Sequence, residues 1–129
     1  MGAEKNLAVL LAAIRPKLNE GEYVFCVTND RDLIDGVNAV SKFQEKEGTT
    51  LIIEKGQADK LNLAYDYIAA WITLEVHSSL EAVGLTATFS SALAKNNISC
   101  NVIAGFYHDH IFIDHRDSKK AMEVLESLC

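Results

Sequence analysis

At 129 residues the chain is long enough for one ordinary domain or for two small ones sharing a core, and too short for a large multidomain enzyme. Apolar residues make up 49% and charged residues 23%, a folding composition rather than the charge-rich, hydrophobe-poor one of disordered chains. Twelve Lys and Arg against eighteen Asp and Glu give a net charge of -6 with no basic run suited to a phosphate backbone, which argues against a nucleic-acid partner.

The opening MGAEKNLAVLLAAIRPKL has a short apolar stretch interrupted by polar residues and no small-residue cleavage pattern, so it reads as mature structure. Asn6 breaks the myristoylation pattern that Gly2 suggests, and no segment approaches the roughly 20 apolar residues that cross a bilayer. Leu7, Leu10, Leu11, Ile14 and Leu18 recur at helical spacing, with Pro16 and Gly21 as the stop. Tyr23 to Val27 is aromatic and β-branched and predicts a strand. Leu33, Val37, Val40 and Phe43 allow a second helix weakened by Gly36, ended by Glu47-Gly48 before a strand at Thr50 to Ile53.

Gly56 to Asn62 is polar and turn-like, with one helical turn at Ala58 to Leu61. Tyr67 to Val76 predicts a long strand. His77-Ser78-Ser79 leads on to a helix whose stripe is Leu85, Phe89, Ala92 and Leu93, closed by Asn96-Asn97. Ile98 to Phe106 and His110 to Ile113 predict an antiparallel hairpin turning at Tyr107-His108-Asp109. Asp117 or Ser118 then caps a last helix with Ala121, Leu125 and Leu128 on its apolar face.

The second half thus reads β-α-β-β-α, the order of a ferredoxin-like antiparallel sheet with helices on one face, an α+β class. The first half offers a similar β-α-β run, which hints at an internal duplication with units at 1–63 and 64–129. From Tyr67 through His108 only Glu75, Glu81 and Lys95 are fully charged, and the strands there alternate only partly. Such a sheet should have its second face covered, by the other half of the chain or by a second subunit.

The stretch EAVGLTATFSSALAKNNISCNVIAG at 81–105, flanked by KFQEKEGTTLII, VHSSLEAVGLT and AGFYHDHIFI, resembles the ACT domain and looks like small bacterial chains of tandem ACT-like units. The resemblance implies a regulatory, often oligomeric module that binds amino acids or other small ligands at an interface between units, and the expectation for this chain is a homodimer with an amino-acid-like ligand. It implies neither catalysis nor a cofactor. Its ligand zone corresponds to the loop from His77 to Leu85: Ser78, Ser79, Leu80, Glu81, Val83, Gly84 and Leu85, with Asn101 on the adjoining strand.

A helix starting near Gly84 would expose unpaired N–H groups and a positive dipole end to a carboxylate. Many ligand-binding ACT domains carry Asp and Pro before that Gly; this chain has Ala82-Val83-Gly84. Each residue also has a structural role open to it. Gly84 suits close packing as well as ligand approach, Ser78 and Ser79 suit a helix cap, and Asn101, set in an apolar strand, suits a bond to a neighbouring loop.

His108 and His110, at i and i+2, share a face in an extended segment, and His77 extends them to a metal-ligating trio, the basis of a metal-dependent enzyme reading. Polar residues at a hairpin turn equally need no metal. Cys26 and Cys100 lie in strand patterns and read as reduced core thiols, which with the odd cysteine count places the chain in the cytoplasm. No Walker or Rossmann glycine pattern is present, and no nucleophilic triad can be assigned by spacing. An interaction module without ligand stands beside the regulatory reading.

Overall fold

The computed structural model describes residues 6–76 and 80–128. Helix α1 spans Leu7–Ala13, started by Asn6, whose side chain accepts from the Val9 N–H at 3.2 Å. The predicted helix was to run on through Leu18. It stops because Pro16 excludes Arg15 from the helical region, and Arg15–Leu18 becomes strand β1 instead. Strand β2 (Tyr23–Thr28) follows, then α2 (Arg31–Gly36), capped by Asp30, whose carboxylate accepts from the N–H groups of Asp32 and Leu33.

The sequence pattern carried α2 as far as Phe43, but Gly36 ends it. By Val40 the chain has joined the sheet, its N–H donating to the Ile52 carbonyl at 2.8 Å, and β3 (Ser41–Gln44) pairs antiparallel with β4 (Thr49–Glu54). Helix α3 (Lys55–Lys60), β5 (Ile68–Glu75), α4 (Leu85–Lys95), β6 (Asn101–Ala104), β7 (Asp109–Asp114), a 3-10 turn at His115–Asp117 and α5 (Ser118–Glu126) complete the order. Asp114 caps that 3-10 turn, and its bonds to the exposed Arg116 guanidinium and N–H hold its carboxyl down at about 2.

Two compact units emerge, and they do not follow the 1–63 and 64–129 division along the sequence. One is continuous, Gly21–Ala69; the other is split, made of residues up to Glu20 together with Ala70 onward. Strand pairing is the reason. β1 lies antiparallel to β5, with Arg15 opposite Glu75 and Leu18 opposite Ile72, and Leu10 and Ile14 sit in the same core as Ile72, Leu74 and Phe89.

Each unit contains the run β-α-β-β-α. In the continuous unit this is β2-α2-β3-β4-α3 with strand order β3-β4-β2, and the first residues of β5 pair with β2. In the split unit it is β5-α4-β6-β7-α5 with order β6-β7-β5, and β1 on the other edge of β5. The duplication hinted at in the sequence is thus a repeat of both element order and pairing, with β3 the element that sequence periodicity did not find.

In the split unit, alternate residues Ala70, Ile72 and Leu74 of β5 and Ile111 and Ile113 of β7 face α1, α4 and α5 through Leu10, Leu85, Phe89, Leu93, Ala121 and Leu125. The opposite face carries Trp71, Thr73, His110 and Phe112. In the continuous unit Val24, Cys26, Leu51 and Ile53 face α2 and α3 through Val37 and Ala58. Burial of these side chains is the main stabilising term, about 1.5–3 kcal/mol for each large apolar group fully removed from water.

Candidate functional site

The connection from β5 to α4 is the zone picked out by the sequence pattern. His77, Ser78 and Ser79 lie outside the described residues. Leu80 and Val83 are 74% and 83% exposed, Glu81 is exposed, and Ala82 between them turns in against the core. Leu85 is buried in the core and anchors the helix, so its side chain is not open to a ligand.

Gly84 occupies the N-cap position of α4 with φ +96°, a left-handed conformation that favours glycine, and supplies no side-chain cap. A Cβ there would stand 3.1 Å from a Leu7 methyl of α1. Its carbonyl accepts from the Thr88 N–H and from the Thr88 hydroxyl, at 2.9 and 2.7 Å. The first-turn N–H groups of this 11-residue helix are therefore not capped by the residue that precedes them.

From Gly84 a groove of about 900 Å³ runs between α4 and α5. Thr88, Ser91 and Lys95 line one wall, Lys120, Glu123 and Ser127 the other. These residues were not singled out from the sequence, although Gly84, Thr88, Ser91 and Lys95 recur at helical spacing beside the apolar stripe. Asn101 is not part of this groove. It is exposed rather than buried among its apolar neighbours, because β6 is an edge strand, and its Nδ2 donates to the Phe112 carbonyl at 3.3 Å.

The continuous unit has its own hollow of about 730 Å³ between α2 and α3, where the Gln57 amide both donates to the Asn38 carbonyl (2.8 Å) and accepts from its N–H (3.2 Å). Nearby, Tyr65 donates to Asp59 at 2.7 Å and Lys55 donates to the same carboxylate at 3.2 Å. These bonds, Tyr65 first, lower the Asp59 carboxyl below its ordinary range.

The histidines separate. His108 lies in the turn with Nδ1 3.4 Å from the Val76 carbonyl, whereas His110, on β7, accepts the Trp71 indole N–H at Nδ1 (3.1 Å). Asp109 opens β7 rather than sitting in the turn, and it is buried; burial raises its carboxyl, with His110 and His108 opposing. Burial, then the neighbouring His108, pushes the His110 imidazole below its ordinary value, and Asp109 opposes. Among the described residues no group of three or more His, Cys, Asp and Glu is placed to hold a metal ion, and His77 of the proposed trio lies outside them. Cys26 is buried and Cys100 half-buried, and neither is in a disulfide. No helix among the described residues is long and apolar enough to cross a membrane.

Two models of the ACT domain match the chain in tandem, over residues 2–70 and 67–127. No protein of curated function matches significantly. A Vibrio cholerae protein of unknown function, described as a possible transport protein, is 42% identical with a TM-score of 0.85, and the alignment covers 96% of each chain. An Agrobacterium tumefaciens protein shares the fold at 18% identity and a TM-score of 0.72, over 89% of this chain and 88% of that one. The regulatory subunit of aspartate kinase from Thermus thermophilus shares it at 9% identity and a TM-score of 0.65, over 88% and 95%. With the repeated β-α-β-β-α run and its matching strand order already in view, the two model matches establish that the chain belongs to the ACT domain family, as two ACT units in tandem.

Proposed function

We propose that this protein is a regulatory module, not an enzyme, that binds a small amino-acid-like ligand at the start of α4 and acts as a cytoplasmic homodimer. The observation that carries the reading is the Gly84-led turn, where the N-cap residue of α4 has no side chain to cap the first N–H groups and lines a groove bearing both signs of charge. A ligand carboxylate is favoured at the N–H groups and dipole end of α4. A ligand ammonium is complementary to Glu123 of the same groove. Family membership and a fold shared with a regulatory subunit support regulation over catalysis. The mechanism is linkage: a ligand with unequal affinity for two arrangements of the dimer shifts their populations, and a partner protein reads the shift.

A melting panel of the twenty amino acids, with light scattering on the same samples, tests this. At 100 times its dissociation constant a ligand stabilises by about 2.7 kcal/mol, which raises the melting temperature by several degrees. The expected result is a rise with one or a few amino acids, a mass twice that of the chain, and loss of the rise in Glu123→Gln. Silence across the panel with a dimeric mass favours an interaction module without ligand. A fall in melting temperature with chelator alone favours the metal reading built on His77, His108 and His110.

A further inference from the structure

The face of the split unit opposite its helices carries a polar network centred on His110. Trp71 Nε1–H donates to His110 Nδ1 at 3.1 Å, so that nitrogen is an acceptor and the ring is neutral with its proton on Nε2. The Thr73 hydroxyl lies at 3.1 Å from the same Nδ1. Asn19 fixes Thr73 from the other side, its Nδ2 reaching Thr73 Oγ1 at 3.0 Å and the Trp71 carbonyl at 3.2 Å. The rings of Trp71 and His110 lie 5.8 Å apart, and Trp71 stacks on Phe112, which is fully buried. Gly105 leaves room for the imidazole, since a Cβ there would stand 3.2 Å from Nε2.

We propose that His110 is a proton-driven switch: neutral, it accepts the Trp71 indole N–H, and protonated at Nδ1 by a solvent proton, it repels that N–H and donates to Thr73 Oγ1 instead. The exchange needs no large motion, because donor and new acceptor already stand at hydrogen-bond distance. Thr73 Oγ1 has two lone pairs, enough for Asn19 and the imidazolium together. The titratable groups about the ring are His108 and Asp109 beside it in the chain, Asp114 farther along β7, Glu75 on β5, and Arg15 and Lys17, which pair with Glu75 and Thr73 from β1. Across the β6 side His110 faces Ile103, which is uncharged. Burial and His108 both oppose protonation, so the exchange falls on the acid side of the ordinary histidine value of 6.5.

Trp71 is the chain's single tryptophan, so its emission reads this site alone. Emission and far-ultraviolet circular dichroism of the full chain are followed from pH 8 to pH 5. The expected result is one emission transition with a midpoint below 6.5 while the dichroism stays flat. His110→Gln abolishes the transition; His108→Gln keeps it and moves the midpoint up, because a like charge has gone. Nitrogen-15 shifts of the unaltered chain at pH 8 show His110 as the Nε2–H tautomer, a test that stands even where the variant fails to fold. An Nδ1–H tautomer at pH 8, a transition that survives His110→Gln, or a dichroism loss with the same midpoint overturns the proposal.

Discussion

At Gly84 two constraints coincide, a φ of +96° and a Leu7 methyl 3.1 Å from where a Cβ would stand. A Gly84→Ala chain is expected to lose about 1–3 kcal/mol of stability from the backbone conformation alone, seen as a lower urea midpoint at unchanged slope. The glycine was legible as special in the sequence, but its contact was not, because Leu7 belongs to a helix near the other end of the chain. Cys100 tells the same story in reverse. Its strand pattern pointed to a packed thiol, and burial does push it up to about 11, with Cys26 raised by the same cause. At neutral pH burial holds Cys100 as the thiol. Alkylation followed by peptide mass analysis should therefore find Cys26 and Cys100 labelled slowly in the native chain and rapidly in denaturant. The exposure of Asn101 was not legible, because apolar neighbours in sequence say nothing of whether a strand sits at an edge.

Among the elements, those long enough to repeat their pattern were readable, notably β5, α4 with Leu85, Phe89 and Leu93, and α5 with Ala121 and Leu125. The short strands β1 and β3 were not. In β1 the apolar series Leu11, Ile14, Leu18 continues a helical period across a boundary that Pro16 sets, and β3 shows Phe43 at 68% exposure among polar residues, leaving no alternation to detect. β1 is placed by a partner distant in sequence, β5, whereas β3 pairs with its hairpin neighbour β4. A chain starting at Gly21 would lack β1 and the core residues Leu10 and Ile14, so one edge of β5 and the packing under α4 would be open to water. Its Trp71 emission should shift to the red and lose its cooperative thermal transition. A retained transition at the original temperature would show that residues 64 onward form a unit without the N-terminal segment.

On the scale of the whole molecule, family and fold class were legible because the residues that carry the ACT pattern sit where the fold needs them: Gly84 at the start of α4, Ala92-Leu93-Ala94 at its end, Asn101 at the start of β6. The division at 63/64 lies close to where the two ACT matches meet, at residues 67–70, whereas the compact units follow strand pairing and divide the chain as Gly21–Ala69 and the rest. That division has a consequence for biosynthesis. The stretch from Gly21 to Ala69 has nearly all its partners close at hand and can condense as soon as it clears the ribosome. The α1–β1 segment made before it, with Leu10 and Ile14, must stay unspent and open to chaperones until β5, α4 and β7 have been translated, so a segment synthesised early is among the last to find its place.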